Sequence, residues 1–221
     1  MLFRDRSQAG RYLATKLSHY AKQADTVVLA LPRGGVPVGF EVAKTLNVPL
    51  DVFIVRKLGL PGHEELAMGA TATGKIRVLN EALIRSIGIT DETIETVAAR
   101  EEQELERRER LYRGDRPPAD IRGKTVILVD DGLATGSTMR AAVLALKRQH
   151  PARIVVAVPV AAESTCEEIK AEVDETICAA TPEPFFAVGQ WYDEFAQTTD
   201  EEVQALLKHA VRLTLQPAAR T

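Results

Sequence analysis

Residues 125–138, with the sequence TVILVDDGLATGST, constrain the fold of this chain more than any other stretch. The first five residues are apolar or β-branched, which predicts a short strand buried on both faces rather than a helix. Asp130 and Asp131 follow where that strand ends, and a turn of small residues leads into a run with helical spacing. The backbone N–H groups of such a turn and the helix N-terminus suit a phosphate. The adjacent carboxylates suit a hydroxylated sugar or a hydrated Mg²⁺.

Two adjacent acids at a strand end often only cap a helix or solvate a loop, but the full string is more specific. It resembles the phosphoribosyl-pyrophosphate (PRPP) motif of the type I phosphoribosyltransferases. The resemblance implies that Asp130 and Asp131 hold the ribose 2′- and 3′-hydroxyls and contact Mg²⁺ indirectly, and that the turn wraps the 5′-phosphate. The residues that it assigns to the 5′-phosphate are Ala134, Thr135, Gly136, Ser137 and Thr138.

A second apolar run, residues 26–31, leads into the sequence Pro-Arg-Gly-Gly. Gly34 and Gly35 let the backbone approach a ligand closely, and Arg33 offers a permanently charged planar group suited to pyrophosphate. The alternative is an ordinary strand-to-helix turn with a surface arginine. The resemblance favours the first interpretation, and it implies an unusual cis peptide bond near Arg33–Gly34.

A third apolar run, residues 48–55, is followed by Arg56 and Lys57 and then by a Gly/Pro-rich loop over residues 59–65. Two adjacent cations before such a loop are typical of an anion site with a lid, although a solvated surface lysine is the alternative. The pair resembles the one found in orotate and adenine phosphoribosyltransferases. This implies that both cations bind pyrophosphate, share the catalytic role with the acid pair, and precede a mobile loop.

Strands and helices alternate along the chain with short connections. The predicted core strands are residues 26–31, 48–55, 125–129, 153–158 and 174–180. This alternation predicts an α/β fold, a five-stranded parallel sheet flanked by helices, with ligands at the carboxyl ends of the strands. We expect one phosphoribosyltransferase-like domain over residues 1–221. It includes a hairpin across residues 73–74 and a helical insertion, residues 80–118, that is an exposed arm or part of a subunit interface.

Residues 181–221, which we expect to form a small hood and a C-terminal helix, are the least regular region and contain five of the eleven aromatic side chains. Such residues form either a hydrophobic cluster under a loop or a ligand cage. The string FAVGQWYD resembles the hood of hypoxanthine–guanine phosphoribosyltransferases. This implies that Phe186 and Trp191 contact the base and that Asp193 lies near pyrophosphate and metal. Residues 159–161, Pro-Val-Ala, lack the lysine that would be expected to recognise a 6-oxopurine.

Composition limits the partners and the compartment. The 221 residues include 28 basic and 31 acidic side chains, a net charge of −3, which gives no reason to expect nucleic acid or an anionic membrane as a partner. Cys166 and Cys178 match neither a metal-binding spacing nor a disulfide framework, so we expect a buried, reduced pair. The chain begins without an apolar leader and has no long apolar window, so we expect a soluble, cytoplasmic protein.

The resemblance implies a Mg²⁺-dependent transferase of nucleotide salvage. It would transfer the 5-phosphoribosyl group of PRPP to a small nitrogenous base, with a purine-like base slightly favoured, and would act as a homodimer. The alternative is a regulatory protein on the same fold that senses PRPP without ordinary turnover. A kinase is disfavoured because neither the P-loop pattern nor the dinucleotide-binding glycine pattern occurs. The sequence does not identify the acceptor.

Overall fold

The computed structural model describes residues 2–215, apart from the side chains of Glu65, Thr214 and Leu215. Met1 and residues 216–221, which belong to the predicted domain span, lie outside the described residues. The strands are β1 (Thr26–Ala30), β2 (Leu50–Val52), β3 (Val55–Leu60), β4 (His63–Ala72), β5 (Ile76–Leu79), β6 (Thr125–Val129), β7 (Arg153–Val158) and β8 (Glu175–Cys178). The α-helices are α1 (Arg6–Lys16), α2 (Gly35–Leu46), α3 (Glu81–Ile87), α4 (Asp91–Arg113), α5 (Ser137–Lys147), α6 (Glu163–Lys170) and α7 (Asp200–Leu215). Within this part of the chain, no helix is both long and apolar enough to cross a bilayer.

A parallel sheet with the strand order β2-β1-β6-β7-β8 forms the centre of the fold. β1 and β6 pair from Thr26 opposite Thr125 to Ala30 opposite Val129, and every residue of both strands is buried. One face of the sheet packs against α1, α2 and α7, and the other packs against α5 and α6. Burial on both faces explains why these strands are continuous runs of branched apolar residues. The predicted α/β class with a five-stranded parallel sheet is confirmed.

The chain leaves the main sheet earlier than the sequence predicts. In place of one strand over residues 48–55, β2 ends at Val52, and β3 begins at Val55 in a separate antiparallel sheet with the order β3-β4-β5. Between them, the backbone N–H of Ile54 donates to Thr73 Oγ1 rather than to a parallel strand. The predicted strand is too long because an apolar run does not reveal where its backbone partners change.

The open loop expected over residues 59–65 is a hairpin. β3 extends to Leu60 and β4 begins at His63, with an irregular register near the tip. Gly62 at the tip has a φ of +80°, a conformation that favours glycine. The hairpin predicted across residues 73–74 is confirmed as β4 and β5.

The helical insertion, residues 80–118, contains α3 and α4 and packs on the antiparallel sheet. The buried apolar side chains at this contact are Leu58, Met68, Ile84, Ile94, Val97 and Ala98. At the other end of α4, Arg113 forms a 2.9 Å ion pair with Asp51, and Tyr112 donates a hydrogen bond to Asp200 at the start of α7. Both ends of α4 are therefore held by this chain, and the helix is not a free arm.

Cys166 and Cys178 form a disulfide, so the expectation of a reduced pair is wrong. Cys166 lies on α6 and Cys178 is the last residue of β8. Packing of the helix against this edge strand places the two Cα atoms 6.5 Å apart, within the usual range for disulfides. The pairing results from the connection between helix and strand, which the spacing of the cysteines does not reveal.

The N-terminal segment packs against the hood. The backbone N–H groups of Leu2 and Phe3 donate to the carbonyl oxygen of Trp191, and the N–H of Asp193 donates to the carbonyl oxygen of Phe3. The aromatic side chains that cluster with Phe3 are Phe185, Trp191, Tyr192 and Phe195. Of the two alternatives for these aromatics, the hydrophobic cluster is observed, and Phe186 lies outside it.

Candidate functional site

The acid pair lies at the carboxyl end of β6, in the middle of the main sheet. Asp130 directly follows Val129, and its Oδ1 accepts a 2.8 Å hydrogen bond from the backbone N–H of Asp131. Burial, and then the negative charge of Asp131, raise the pKa of Asp130 well above its usual range. Burial also raises the pKa of Asp131, and the guanidinium of Arg6 opposes that shift. The pair is therefore a partly buried cluster of two carboxyl groups that favours hydroxyl donors or a cation.

The turn that contains Gly34 and Gly35 packs directly against this pair. A Cβ atom on Gly34 would lie 2.1 Å from Asp131 Oδ2, and one on Gly35 would lie 2.8 Å from the carbonyl oxygen of Val129. Gly34 has a φ of −59°, so the position needs its small size rather than its conformational freedom. The structure thus brings the predicted pyrophosphate turn into contact with the predicted ribose pair.

Arg33 precedes this turn and is only loosely held. The cis peptide bond joins Pro32 to Arg33, one bond before the predicted position. Arg33 Nη1 lies 3.9 Å from Asp200 Oδ1 at the start of α7. A guanidinium has five N–H donors, so one contact of this length leaves most of them available to a ligand.

The turn after the acid pair ends at the N-terminus of α5. Gly136 has a φ of +68°, and α5 begins at the next residue, Ser137. Thr165 of α6 supports the turn, because its Oγ1 donates to the carbonyl oxygen of Ala134 at 2.6 Å. A cavity of about 180 Å³ is lined by Asp130, residues 132–139 and Val188. All the residues predicted to bind the 5′-phosphate line this cavity, beside a helix N-terminus that favours an anion.

Lys57 extends from β3 to residues 134–138, the turn predicted to bind the 5′-phosphate, which is called the phosphate turn below. Its Nζ donates to Ser137 Oγ at 2.6 Å. This contact places Lys57 beside the turn that is predicted to bind the 5′-phosphate, and its predicted contact with pyrophosphate stays a prediction. A lysine ammonium with three donors can contact Ser137 and a phosphate oxygen together.

Arg56 points to the other face of β3, because successive side chains of a strand alternate between the two faces. Its Nη2 and Nε lie 2.6 and 2.8 Å from Oε2 of Glu101, a buried residue of α4. The structure does not bring Arg56 to the site with Lys57, because β3 continues past both residues instead of ending before them. Its predicted contact with pyrophosphate stays a prediction.

Residues that sequence reasoning missed complete the surroundings of Asp131. Arg6 Nε donates to Asp131 Oδ2 at 2.8 Å, and the hydroxyl of Tyr192 donates to the backbone carbonyl of Asp131 at 2.6 Å. Burial, reinforced by Asp131, raises the pKa of Tyr192, which keeps the hydroxyl protonated. Val188 covers Gly132, where a Cβ atom would lie 2.6 Å from Val188 Cγ1. The aromatic string of the hood indicates that Tyr192 is buried but does not identify its partner, and no local signal marks Arg6.

The predicted hood residues differ in their surroundings. Phe186 is 80% exposed, and Trp191 packs against Phe185 with ring centres 6.2 Å apart. Among the described residues, the buried indole N–H of Trp191 has no hydrogen-bond acceptor. Asp193 is exposed, and its backbone N–H bonds to Phe3. Contact of Phe186 and Trp191 with a base, and of Asp193 with a metal, stay predictions.

The acid pair fits a partial set of Mg²⁺ ligands. Within residues 2–215, no group of three or more His, Cys, Asp and Glu side chains is arranged to hold a metal ion. Mg²⁺ is commonly held by one or two carboxylates together with water and substrate phosphates. Asp130 and Asp131 are partly buried and electrostatically unfavourable as two bare anions, so they suit Mg²⁺ that binds together with a phosphorylated ligand.

Residues 4–193 match the family model described as the phosphoribosyl transferase domain. Two proteins of Mycobacterium tuberculosis, from strains CDC 1551 and H37Rv, have names that assign them provisionally to the phosphoribosyl transferases. Each is 44% identical over 211 residues, which cover 96% of this chain and 47% of the relative. This chain therefore spans about half the length of the curated relatives it matches.

A solved structure shares both the sequence and the fold. The crystal structure of TT1426 from Thermus thermophilus is 44% identical and has a TM-score of 0.83, covering 95% of this chain and 99% of that one. The family match includes the glycine turn, the acid pair, the phosphate turn and the start of the hood. The chain belongs to the phosphoribosyl transferase domain family.

Proposed function

We propose that this protein is a Mg²⁺-dependent phosphoribosyltransferase, which transfers the 5-phosphoribosyl group of PRPP to a small nitrogenous base and releases pyrophosphate. One observation carries the proposal. The partly buried pair of Asp130 and Asp131 contacts the Gly34–Gly35 turn on one side and borders the cavity of the phosphate turn on the other. PRPP has the matching order of groups, a pyrophosphate, a ribose diol and a 5′-phosphate.

At the ribose and the 5′-phosphate, the proposed contacts follow from hydrogen-bonding capacity. Asp130 and Asp131 would accept hydrogen bonds from the two ribose hydroxyls. The phosphate turn, residues 134–138, would donate its backbone N–H groups and hydroxyls to the 5′-phosphate, and Lys57 would add a positive charge. The donor would therefore be held at two ends of a rigid sheet edge, which fixes ribose C1 between them.

At the reacting end, negative charge develops on the departing pyrophosphate while ribose C1 gains oxocarbenium character. Arg33 and the backbone N–H of Gly34 would stabilise that charge, because they are in place before the reaction begins. The N–H of Gly35 already donates to the carbonyl oxygen of Leu31. Bound Mg²⁺ supplies further positive charge to the phosphates. Positioning and electrostatics are sufficient for this step, and no covalent nucleophile is called for.

The acceptor that we propose is a flat nitrogenous base, with a purine-like ring favoured. Phe186 offers an exposed ring, and rings stack on heterocycles through apolar area without selecting one base. Residues 159–161 provide no lysine for a 6-oxo group, and Val160 is buried in the aromatic cluster. Recognition of the acceptor would therefore depend on shape and stacking more than on charge.

A PRPP-sensing regulator on the same fold is the second candidate. The observation that favours it is the contrast between the two halves of the site. The acid pair, where the donor would bind, is partly buried between the Gly34–Gly35 turn and the cavity of the phosphate turn, whereas the proposed stacking residue Phe186 is 80% exposed. A protein that only senses PRPP would need the first half alone.

One titration separates these functions. Purine, pyrimidine and nicotinate-like bases are added in turn to protein with PRPP and Mg²⁺, and pyrophosphate release is measured alongside PRPP binding by calorimetry. The enzyme predicts release with at least one base above the rate without base. PRPP binding without release across the whole panel would support the sensor, and absence of PRPP binding would contradict both functions.

A further inference from the structure

Arg6 is fixed by contacts in three directions. Its Nε donates to Asp131 Oδ2 at 2.8 Å, its Nη1 donates to the carbonyl oxygen of Ala196 at 2.7 Å, and its guanidinium carbon lies 3.9 Å from the centre of the Phe195 ring. The Arg6 side chain is only 12% exposed. A guanidinium that is stacked, hydrogen-bonded on two edges and largely shielded from solvent has little freedom to swing away.

The backbone that carries Arg6 is also held closely. α1 packs on α2, and a Cβ atom on Gly10 would lie 2.7 Å from the carbonyl oxygen of Val38. α2 is the helix that begins at the Gly34–Gly35 turn. Arg6 and the glycine turn therefore approach Asp131 from two helices that are packed against each other.

The contacts of Asp131 divide its two carboxylate oxygens. Oδ2 accepts the hydrogen bond from Arg6 Nε and also faces Gly34. A Cβ atom added to Gly34 would lie 2.1 Å from this oxygen. Arg6 bonds to Oδ2, so the Oδ1 atom keeps lone-pair capacity to accept a hydrogen bond from a ligand. The positive charge of Arg6 also reduces the repulsion between the two adjacent carboxylates.

We propose that Arg6 is a positioning residue for the donor: it orients the carboxylate of Asp131 so that Oδ1 meets a ribose hydroxyl. This inference rests on the proposed PRPP site. Arg6 acts through Asp131 and contacts no reacting atom. The opposite role is a latch, in which Arg6 occupies the ribose site and must leave before the donor binds. The three simultaneous contacts favour the fixed role.

The test compares Arg6→Gln and Arg6→Lys with wild type and with Arg11→Gln. Arg11 lies on the same helix, and its exposed ion pair with Glu41 is 3.4 Å long, so its loss should leave donor binding unchanged. PRPP dissociation constants are measured by calorimetry with Mg²⁺, and KM for PRPP and kcat are measured by pyrophosphate release. Circular dichroism and thermal unfolding confirm that each variant is folded.

For Arg6→Gln, the expected result is a dissociation constant and a KM for PRPP raised about 10-fold to 100-fold, as for other supporting residues of a ligand site, with kcat changed less. Arg6→Lys, which keeps the charge but loses the planar contacts, should lie between this variant and wild type. Unchanged PRPP affinity in folded Arg6→Gln would overturn the inference, and tighter PRPP binding would show a latch. Absence of PRPP binding by wild type would instead contradict the proposed function itself.

Discussion

Asp130–Asp131 and Arg56–Lys57 are both pairs of adjacent like charges next to a strand, but only the first pair stays together. The acids follow the last residue of β6, where the chain has left the sheet and both side chains remain at one edge. The cations lie inside β3, where the pleat sends one to α4 and the other to the phosphate turn. A difference of a few residues in where a strand ends therefore decides whether neighbours in sequence share a site.

The two pairs also differ in how their charge is balanced. Arg56 is paired with Glu101, so it contributes to the packing of α4 on the antiparallel sheet. Among the described residues, the acid pair has one ion-paired cation, Arg6, for two partly buried carboxylates, and burial raises the pKa of both. Carboxylates whose charge is only partly neutralised by the protein are suited to binding a ligand that completes the neutralisation. An ion pair whose charges already cancel is suited to stabilising the fold.

The largest expected effect comes from removing both acids. Asp130→Asn combined with Asp131→Asn should weaken PRPP binding by more than about 100-fold, because hydrogen bonds to two charged acceptors are each worth about 1.5–3 kcal/mol. Calorimetry measures the affinity, and circular dichroism checks the fold. Asp115→Asn combined with Asp120→Asn, at exposed positions, is the matched control. Equal PRPP binding by both double variants would mean that the acid pair is not the ribose site.

Lys57→Ala tests the half of the cation pair that faces the site. The variant should bind PRPP about 10-fold to 100-fold more weakly, because a charged donor to the 5′-phosphate is lost. Lys147→Ala, an exposed lysine at the far end of α5, serves as control. An affinity equal to that of the control would show that Lys57 only holds Ser137.

Arg56→Ala tests the half that faces away. We expect the free energy of unfolding to fall by about 1–2 kcal/mol, since buried Glu101 loses two short contacts, while PRPP affinity stays within about twofold. Arg100→Ala removes the exposed partner of the same carboxylate and should cost less than about 1 kcal/mol. Urea unfolding and calorimetry provide both values. Loss of PRPP affinity in folded Arg56→Ala would show that Arg56 does contribute to PRPP binding.

The smallest effect is a gain in stability. The pKa of Asp130 is raised in the folded protein, so the stability contributed by its protonated form is present at acid pH and lost as pH rises through the raised pKa. Asp130→Asn should therefore be about 1 kcal/mol more stable at neutral pH without PRPP or Mg²⁺, with a flatter pH profile. Asp131→Asn should instead lose stability, because the partly buried Arg6 loses its carboxylate partner. Urea unfolding across pH checks both predictions. Lower stability of Asp130→Asn would contradict the view that the two carboxylates destabilise the fold when no ligand is bound.

The parallel sheet, the glycine turn and the phosphate turn could be predicted because each depends on local pattern. Buried strands are apolar runs in the sequence. Gly34 is needed where the chain comes close to Asp131, and Gly136 is needed where φ is positive. Arg6 and the disulfide could not be predicted in this way. Arg6 is 125 residues from Asp131, and Cys166 meets Cys178 only because α6 packs on β8.

By itself, the sequence of residues 125–138 determined the central part of this protein. A buried strand, two carboxylates and a small-residue turn before a helix form a site from backbone geometry within one segment. The tertiary structure alone decided what surrounds that segment. It turned Arg56 away, brought Lys57 to Ser137, and placed Arg6 and Tyr192 on Asp131. Such contacts depend on strand length and helix packing, which no short stretch of sequence contains.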